Sequence, residues 1–464
     1  MIGSGPAGQR VAIQGAKAGK KVAVIEELSA VGGWCVHTGT LPSKSFRESV
    51  YRWSLGSRGT LGKSSEHVGL ALKRGKLPDM SRLLKRRDRV VKNEAKVIFD
   101  QLNRNKVKLI QGRAKLKSPN EVEVTSKKGV ETFRAPFIFL AVGARPVAPV
   151  HLKVDKKRVF DSDSILGLKK IPKSLVVLGA GIIGCEYASI FSMAGTKVYL
   201  IDRRHEILAS VDREIVAHLS EHFVSQGMEV LLEAEATAIK SSAQGLLVEL
   251  SGGRKLKAEV VLISQGRFGN TEGLGLEDIG IRKNERGLIQ VDKFFRTSVP
   301  NIYAVGDVVG APALASTSME QGRIACRHAL KLEESPMPQF FPYGIYTIPE
   351  ISVLGQTEEE LIAAKANFVV GKARYRELAR GQIVGDQWGL LKLLVEKKSR
   401  KLLGVHIVGD SAADLIHIGQ AVIDLGGDVN YFIKSVFNYP TLAEAYKTAA
   451  FHAVNQLEGT LFIK

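Results

Sequence analysis

Two segments lying far apart in this chain repeat one design, and the repetition limits the fold more than any other feature. The first is Gly3-Ser4-Gly5-Pro6-Ala7-Gly8, followed by a helical stretch and the strand-like run Lys21-Val22-Ala23-Val24-Ile25, which ends at Glu26. The second is the apolar run Ser174–Leu178, the loop Gly179-Ala180-Gly181-Ile182-Ile183-Gly184, another helical stretch, and Lys197-Val198-Tyr199-Leu200-Ile201, which ends at Asp202. In both, the acid stands 23 residues after the first glycine. Glycines permit the tight turn and let a pyrophosphate approach a helix N-terminus, while the carboxylate at the strand end accepts hydrogen bonds from ribose hydroxyls. A glycine triplet alone is weak, but strand context with a correctly spaced acid makes each a dinucleotide fingerprint. The chain is therefore expected to contain two β-α-β dinucleotide-binding units.

The two copies differ at their starts. A full apolar run precedes Gly179, whereas only Met1 and Ile2 precede Gly3. The missing strand would lie centrally in a parallel sheet, so the natural protein is expected to start roughly ten residues earlier, enough for one buried strand. Further on, Phe137–Pro146 is expected to be a strand running into a turn at Gly143, and Val261–Arg267 a matching return through Gly266. Asn301–Asp307 reads as a buried strand ending in Gly306-Asp307. From about Tyr343 the pattern becomes strands such as Leu390–Glu396 and Gly404–Val408 followed by helices.

The segment Gly32-Gly33-Trp34-Cys35-Val36-His37-Thr38-Gly39-Thr40-Leu41-Pro42-Ser43-Lys44 resembles the redox loop of the flavoprotein (pyridine nucleotide-disulfide) reductases, and the ordered motifs extend that resemblance over nearly the whole chain. The resemblance implies an α/β fold: two Rossmann-like dinucleotide-binding domains, for FAD and NAD(P), the second inserted in the first, plus a C-terminal α+β dimerisation domain. The implied boundaries are 1–150 for the first part of the FAD domain, 151–270 for the NAD(P) domain, 271–342 for the second part of the FAD domain and 343–464 for dimerisation. It also implies that Gly3, Gly5, Gly8, Glu26, Gly33, Lys44, Gly143, Gly306, Asp307 and Ala315 hold FAD. Gly179, Gly181, Gly184, Glu186, Asp202, Arg203, Arg204 and Gly266 would hold NAD(P).

The chain departs from the disulfide-reductase pattern at two places. The second cysteine of the redox pair, five positions after Cys35, is replaced by Thr40, which can form neither a disulfide nor a thiolate. Near the C-terminus, Asn438-Tyr439-Pro440-Thr441 carries Tyr439 where the family has a histidine, and a phenol with a pKa of about 10 is a poor base at neutral pH. Glu444, which would orient that histidine, remains. Both departures, with Gly266-Arg267-Phe268-Gly269-Asn270-Thr271, resemble the soluble pyridine nucleotide transhydrogenases. The resemblance implies a cytoplasmic, homodimeric or larger flavoenzyme that moves hydride between NADPH and NAD⁺ in a ping-pong cycle through flavin N5, without a redox disulfide.

Each site residue also has a plainer reading. Cys35 is either a remaining electron relay or a small side chain packed beside the flavin. Lys44 matches a family lysine beside flavin N5, where a cation stabilises developing negative charge, or it is a solvated helix lysine. Glu186 matches a family glutamate near that lysine and the nicotinamide amide, or it is an ordinary helix glutamate. An acid at the strand end favours NAD and arginines favour the NADP 2′-phosphate; Asp202-Arg203-Arg204 offers both, unless the arginines are solvated at a loop edge.

Composition narrows the alternatives. No apolar run reaches the ~20 residues that a membrane helix needs, and no signal-peptide pattern is visible. Three scattered cysteines form neither a metal spacing nor a disulfide framework, which fits a reducing compartment. The net charge is +19, and residues 73–117 hold 16 Lys/Arg against 4 Asp/Glu. No aromatics interleave with the dense patch Lys85-Arg86-Arg87-Asp88-Arg89, so a solvated face is expected rather than a nucleic-acid surface. The rival functions are an NAD(P)H dehydrogenase passing electrons to quinones or dyes, a disulfide reductase of the lipoamide or glutathione type, and a non-catalytic basic binding protein.

Overall fold

The computed structural model describes residues 1–57, 79–243, 245–333 and 336–459; residues 73–78 of the basic stretch lie outside them. The chain divides into two compact units. The first comprises Met1–Ser49, Met80–Lys169 and Gln265–Pro338; the second is built chiefly from Lys170–Ser264 and Gln339–Lys464.

In the first unit, parallel pairing runs from Lys108–Gln111 to Ala23–Glu26, then through Ile2 to Ile138–Leu140 and on to Ile302–Ala304. The place of the leading strand is taken by Met1–Gly3. Ile2 forms a single parallel bridge to Ile25 on one side and Leu140 on the other. Its N–H donates to the Phe139 carbonyl at 2.9 Å, and the Gly3 N–H donates to the Ile25 carbonyl at 2.8 Å. The helix Pro6–Lys17 follows at once, with proline at its first position, where a missing N–H costs nothing.

Phe137–Pro146 was expected as a strand running into a turn at Gly143, and a second short strand follows that turn. Ile138–Leu140 joins the parallel sheet, and Ala144–Pro146 pairs antiparallel with Arg267–Gly269. Gly143, at φ +69°, breaks the run between them. The return segment divides in the same way: Val260–Ile263 lies in the second unit's sheet, and Arg267–Gly269 begins after Gly266 at φ +142°.

In the second unit, the four strands Glu229–Leu231, Lys197–Ile201, Ser174–Leu178 and Val260–Ile263 pair in parallel in that order. Leu175–Leu178 and Val260–Ile263 are buried, the continuous apolar pattern of strands covered on both faces. The C-terminal part is a five-stranded antiparallel sheet in the order Tyr343–Ile345, Glu350–Gly355, Leu402–Gly409, Leu390–Glu396, Phe368–Arg374. The helices Ala412–Asp424 and Glu444–Leu457 pack on it around Tyr375, Phe432 and Tyr446. Among the described residues, no helix is long and apolar enough to cross a membrane.

Candidate active site

Each glycine loop turns from strand to helix at a position where a side chain would collide with backbone. A Cβ on Gly8 would lie 2.1 Å from the Gly3 carbonyl oxygen, and one on Gly184 would lie 1.8 Å from that of Gly179. Gly5, between Gly3 and Gly8, faces open space: nothing lies within 4 Å of the position a Cβ would take. The helices Pro6–Lys17 and Ile182–Met193 begin at Gly5 and Gly181 with no side-chain cap, unlike Arg213–Ser225, where Asp212 accepts from the Glu214 and Ile215 N–H groups. Uncapped first-turn N–H groups beside an open glycine face suit a pyrophosphate.

Glu26 reaches back over the first loop. One carboxylate oxygen accepts from the Ser4 N–H at 2.9 Å and the Ser4 hydroxyl at 2.5 Å, and the other from the Leu28 N–H at 2.9 Å. Ser4 Oγ in turn accepts the Gly32 N–H at 2.9 Å, tying this loop to the segment that carries Cys35. The backbones meet there, since a Cβ on Gly33 would lie 2.9 Å from the Gly5 Cα. The sequence reading missed Ser4; its place between two fingerprint glycines was the available signal.

Cys35 lies on a short helix, Gly33–His37, and Thr40 begins the helix Thr40–Ser57 that carries Lys44. Burial pushes the Cys35 thiol up, Asp307 adds to the shift, and a hydrogen bond with Thr40 together with the charge of Lys44 partly offsets it. The structure thus brings Cys35, Thr40, Lys44 and Asp307 into one neighbourhood. Lys44 also lines a shallow cleft with Thr40, Leu41, Ser45, Glu48, Arg86 and Val90. All three cysteines are free.

Asp307 follows Gly306, whose N–H is held by Gln321 Oε1 at 2.8 Å. Burial pushes the Asp307 carboxyl up, and Arg267 pulls it part of the way back. A half-buried acceptor of this kind matches the hydroxyls of a ribityl chain. Ala315 opens the helix Ala315–Ala329, again without a side-chain cap. Gly143 lies beside Trp34, with 3.8 Å between its would-be Cβ and the indole. The residues assigned to FAD therefore fit that group: uncapped N–H donors for the pyrophosphate, and Glu26 and Asp307 as acceptors for hydroxyls.

The second fingerprint is finished differently. Asp202 accepts from the Ala180 N–H at 2.6 Å, the Arg204 N–H at 2.9 Å, Arg204 Nε at 2.9 Å and Arg204 Nη2 at 2.7 Å. Arg203 is exposed. Ser264, which the sequence reading passed over, holds the loop by donating to the Leu178 and Gly179 carbonyls at 3.0 and 3.1 Å. Glu186 is 5% exposed and accepts the Tyr346 N–H at 2.9 Å, so it is a positioned group and not a solvated helix glutamate. Gly266 lies in the first unit, in the turn before Arg267–Gly269, where its carbonyl accepts the Val147 N–H. Tyr439 is 74% exposed, and Glu444 accepts the Thr441 N–H at 3.3 Å. Among the described residues, no cluster of His, Cys, Asp and Glu could hold a metal ion.

Comparison with known proteins bears on the family and the fold. The pyridine nucleotide-disulphide oxidoreductase profile matches residues 1–322, and the dimerisation-domain profile of the same group matches 341–450. A soluble pyridine nucleotide transhydrogenase of Mycobacterium tuberculosis is 45% identical over 99% of this chain and 97% of its own length. One from Pseudomonas putida is 41% identical over 98% of both. Among solved structures, the HOCl-induced flavoprotein disulfide reductase RclA from Escherichia coli superimposes with a TM-score of 0.87 at 27% identity, covering 97% of this chain and 98% of that one. LpdA from Mycobacterium tuberculosis gives 0.88 at 26%, over 97% and 98%.

Proposed function

This chain belongs to the pyridine nucleotide-disulphide oxidoreductase family, and on that premise we propose that it is an FAD-dependent transhydrogenase exchanging hydride between NADPH and NAD⁺. FAD, when bound, supplies reversible two-electron chemistry that the side chains lack. The first fingerprint, with Glu26 and Asp307, binds and orients it. Lys44 provides a cation where negative charge develops, and Glu186, fixed by the Tyr346 N–H, positions the nicotinamide carboxamide. NADPH and NAD⁺ take turns at the second fingerprint, which gives a ping-pong cycle. Both nicotinamides have similar potentials, so concentrations set the direction.

One observation carries the reading. The loop that would present a redox disulfide is folded beside Gly5, yet Thr40 stands where the second cysteine would be, and the three cysteines are free. With Tyr439 in the histidine position, thiol chemistry lacks both its electron acceptor and its base. The chain is assigned to the cytoplasm on its free cysteines and to a homodimer on its C-terminal domain.

The test is anaerobic reduction of thionicotinamide-NAD⁺ by NADPH with FAD-loaded protein, no disulfide or quinone being present. Turnover with parallel-line kinetics is the expected result. If NADPH bleaches the flavin but no thio-NADH forms, the reading fails and quinones become the leading acceptors.

A further inference from the structure

The two fingerprints share a spacing but not the state of their acids. A carboxylate has about four lone-pair positions. Glu26 uses three, all on neutral donors of its own loop, and keeps one for a ribose hydroxyl. Asp202 uses four, two of them on the guanidinium of Arg204 in a two-point fork. Where the first acid awaits a ribose, the second is already occupied by a cation from its own chain.

We propose that Arg204 is a two-position specificity switch that lets one site accept both NADP(H) and NAD(H). In the position seen, its fork saturates Asp202 and cancels its charge, so a 2′-phosphate can approach without meeting a bare carboxylate. Exposed Arg203 is then available to that phosphate. In the other position the side chain swings outward, and the ribose hydroxyls of NAD(H) take over the acceptor positions it leaves.

Three observations support this assignment. The Arg204 side chain is 43% exposed although its partner is 6% exposed, so an outward path is open. Its Nη2 lies 3.9 Å from where a Cβ on Gly181 would be, which places the guanidinium over the glycine loop. The backbone is pinned: the Ala234 N–H donates to the Asp202 carbonyl and the Glu233 N–H to that of Arg204, both at 3.0 Å. The change therefore needs only side-chain rotation.

The inference rests on the transhydrogenase reading for its purpose but not for its test. The full-length FAD-loaded protein and its Arg204→Ala and Arg204→Lys variants would be titrated calorimetrically with 2′,5′-ADP and with 5′-AMP. These fragments differ by the 2′-phosphate and need no hydride transfer. Arg204→Ala should bind 2′,5′-ADP about tenfold more weakly, because the uncovered Asp202 repels the phosphate, and 5′-AMP about threefold more tightly. Arg204→Lys, which keeps a cation but loses the fork, should fall between, and it supplies the readout if the alanine variant folds poorly. A ratio of the two affinities that stays within threefold of the wild type in either folded variant overturns the switch, as does parallel weakening of both ligands. Failure of the NADPH to thio-NAD⁺ assay with an altered fragment ratio would instead remove the transhydrogenase reading and leave the switch standing.

Discussion

At the scale of single residues, Cys35 and the loop glycines carry the clearest consequences. Burial raises the Cys35 thiol pKa, so the neutral form dominates at pH 7.5. Its alkylation by iodoacetamide should be at least about tenfold slower than that of a free thiol and should rise only above the usual thiol range. Cys35→Ser should keep hydride transfer between nicotinamides within about threefold of wild type, since the proposed cycle uses no relay through sulfur; a loss of a hundredfold would restore the relay reading. The glycine pair tests the two proposed nucleotide sites separately. Gly8→Ala forces a methyl against the Gly3 carbonyl and should lower FAD content, whereas Gly184→Ala, against the Gly179 carbonyl, should weaken NADPH binding about tenfold or more while FAD content holds. Absorbance at the flavin band and an NADPH titration distinguish the two outcomes.

At the scale of elements, a buried ion cluster joins the helix Arg213–Ser225 to the antiparallel sheet within the second unit. Lys392, on a strand otherwise apolar through Val395, is fully buried, with its ammonium 2.9 Å from Asp212, 3.1 Å from Glu214 and 2.5 Å from Glu358. Burial opposes ionisation of Asp212, but His406 and Lys392 outweigh it and hold its carboxyl below the usual range. Glu214 is held down against burial in the same way by Lys372 and Lys392. Their stabilisation is therefore complete above ordinary carboxylate pKa values and is lost as pH falls through the depressed ones. Lys392→Met removes the cation shared by Asp212, Glu214 and Glu358, leaving Lys372 on Glu214, and should cost about 3–5 kcal/mol at neutral pH, read as a lower denaturation midpoint. The gap between wild type and variant should narrow below about pH 4; a gap that stays constant would mean the cluster contributes no charge pairing.

At the scale of the whole molecule, the net charge of +19 is spread over a surface that offers anionic dinucleotides a favourable field. On the helix Met80–Arg104, Arg82, Lys85, Arg89, Lys92 and Lys96 are exposed, while Leu83, Ile98 and Leu102 face inward, so the charged positions form a solvated face. Steering predicts that kcat/KM for NADPH falls several-fold between about 20 and 200 mM salt while kcat holds; no salt dependence would show that the field is too diffuse to matter.

Much of this arrangement was legible in the sequence, because glycine turns, strand-end acids and buried parallel strands are set by local sterics and by hydrophobic runs. The two fingerprints, the Gly306-Asp307 strand end and the substitution of Thr40 and Tyr439 all follow from residue type at a fixed spacing. The turn at Gly143 was legible, but the antiparallel pairing of Ala144–Pro146 with Arg267–Gly269 was not, since an apolar run gives no sign that the segments on either side of a glycine pair in different sheets. Tertiary structure alone decided the state of each acid. Glu26 and Asp202 are equivalent in the sequence, but one retains an acceptor position and the other is saturated by Arg204, because a side chain's hydrogen-bond partners depend on which donors the fold delivers to it. The same holds for Lys392, whose burial against Asp212, 180 residues away in the sequence, is a property of packing that no local pattern encodes.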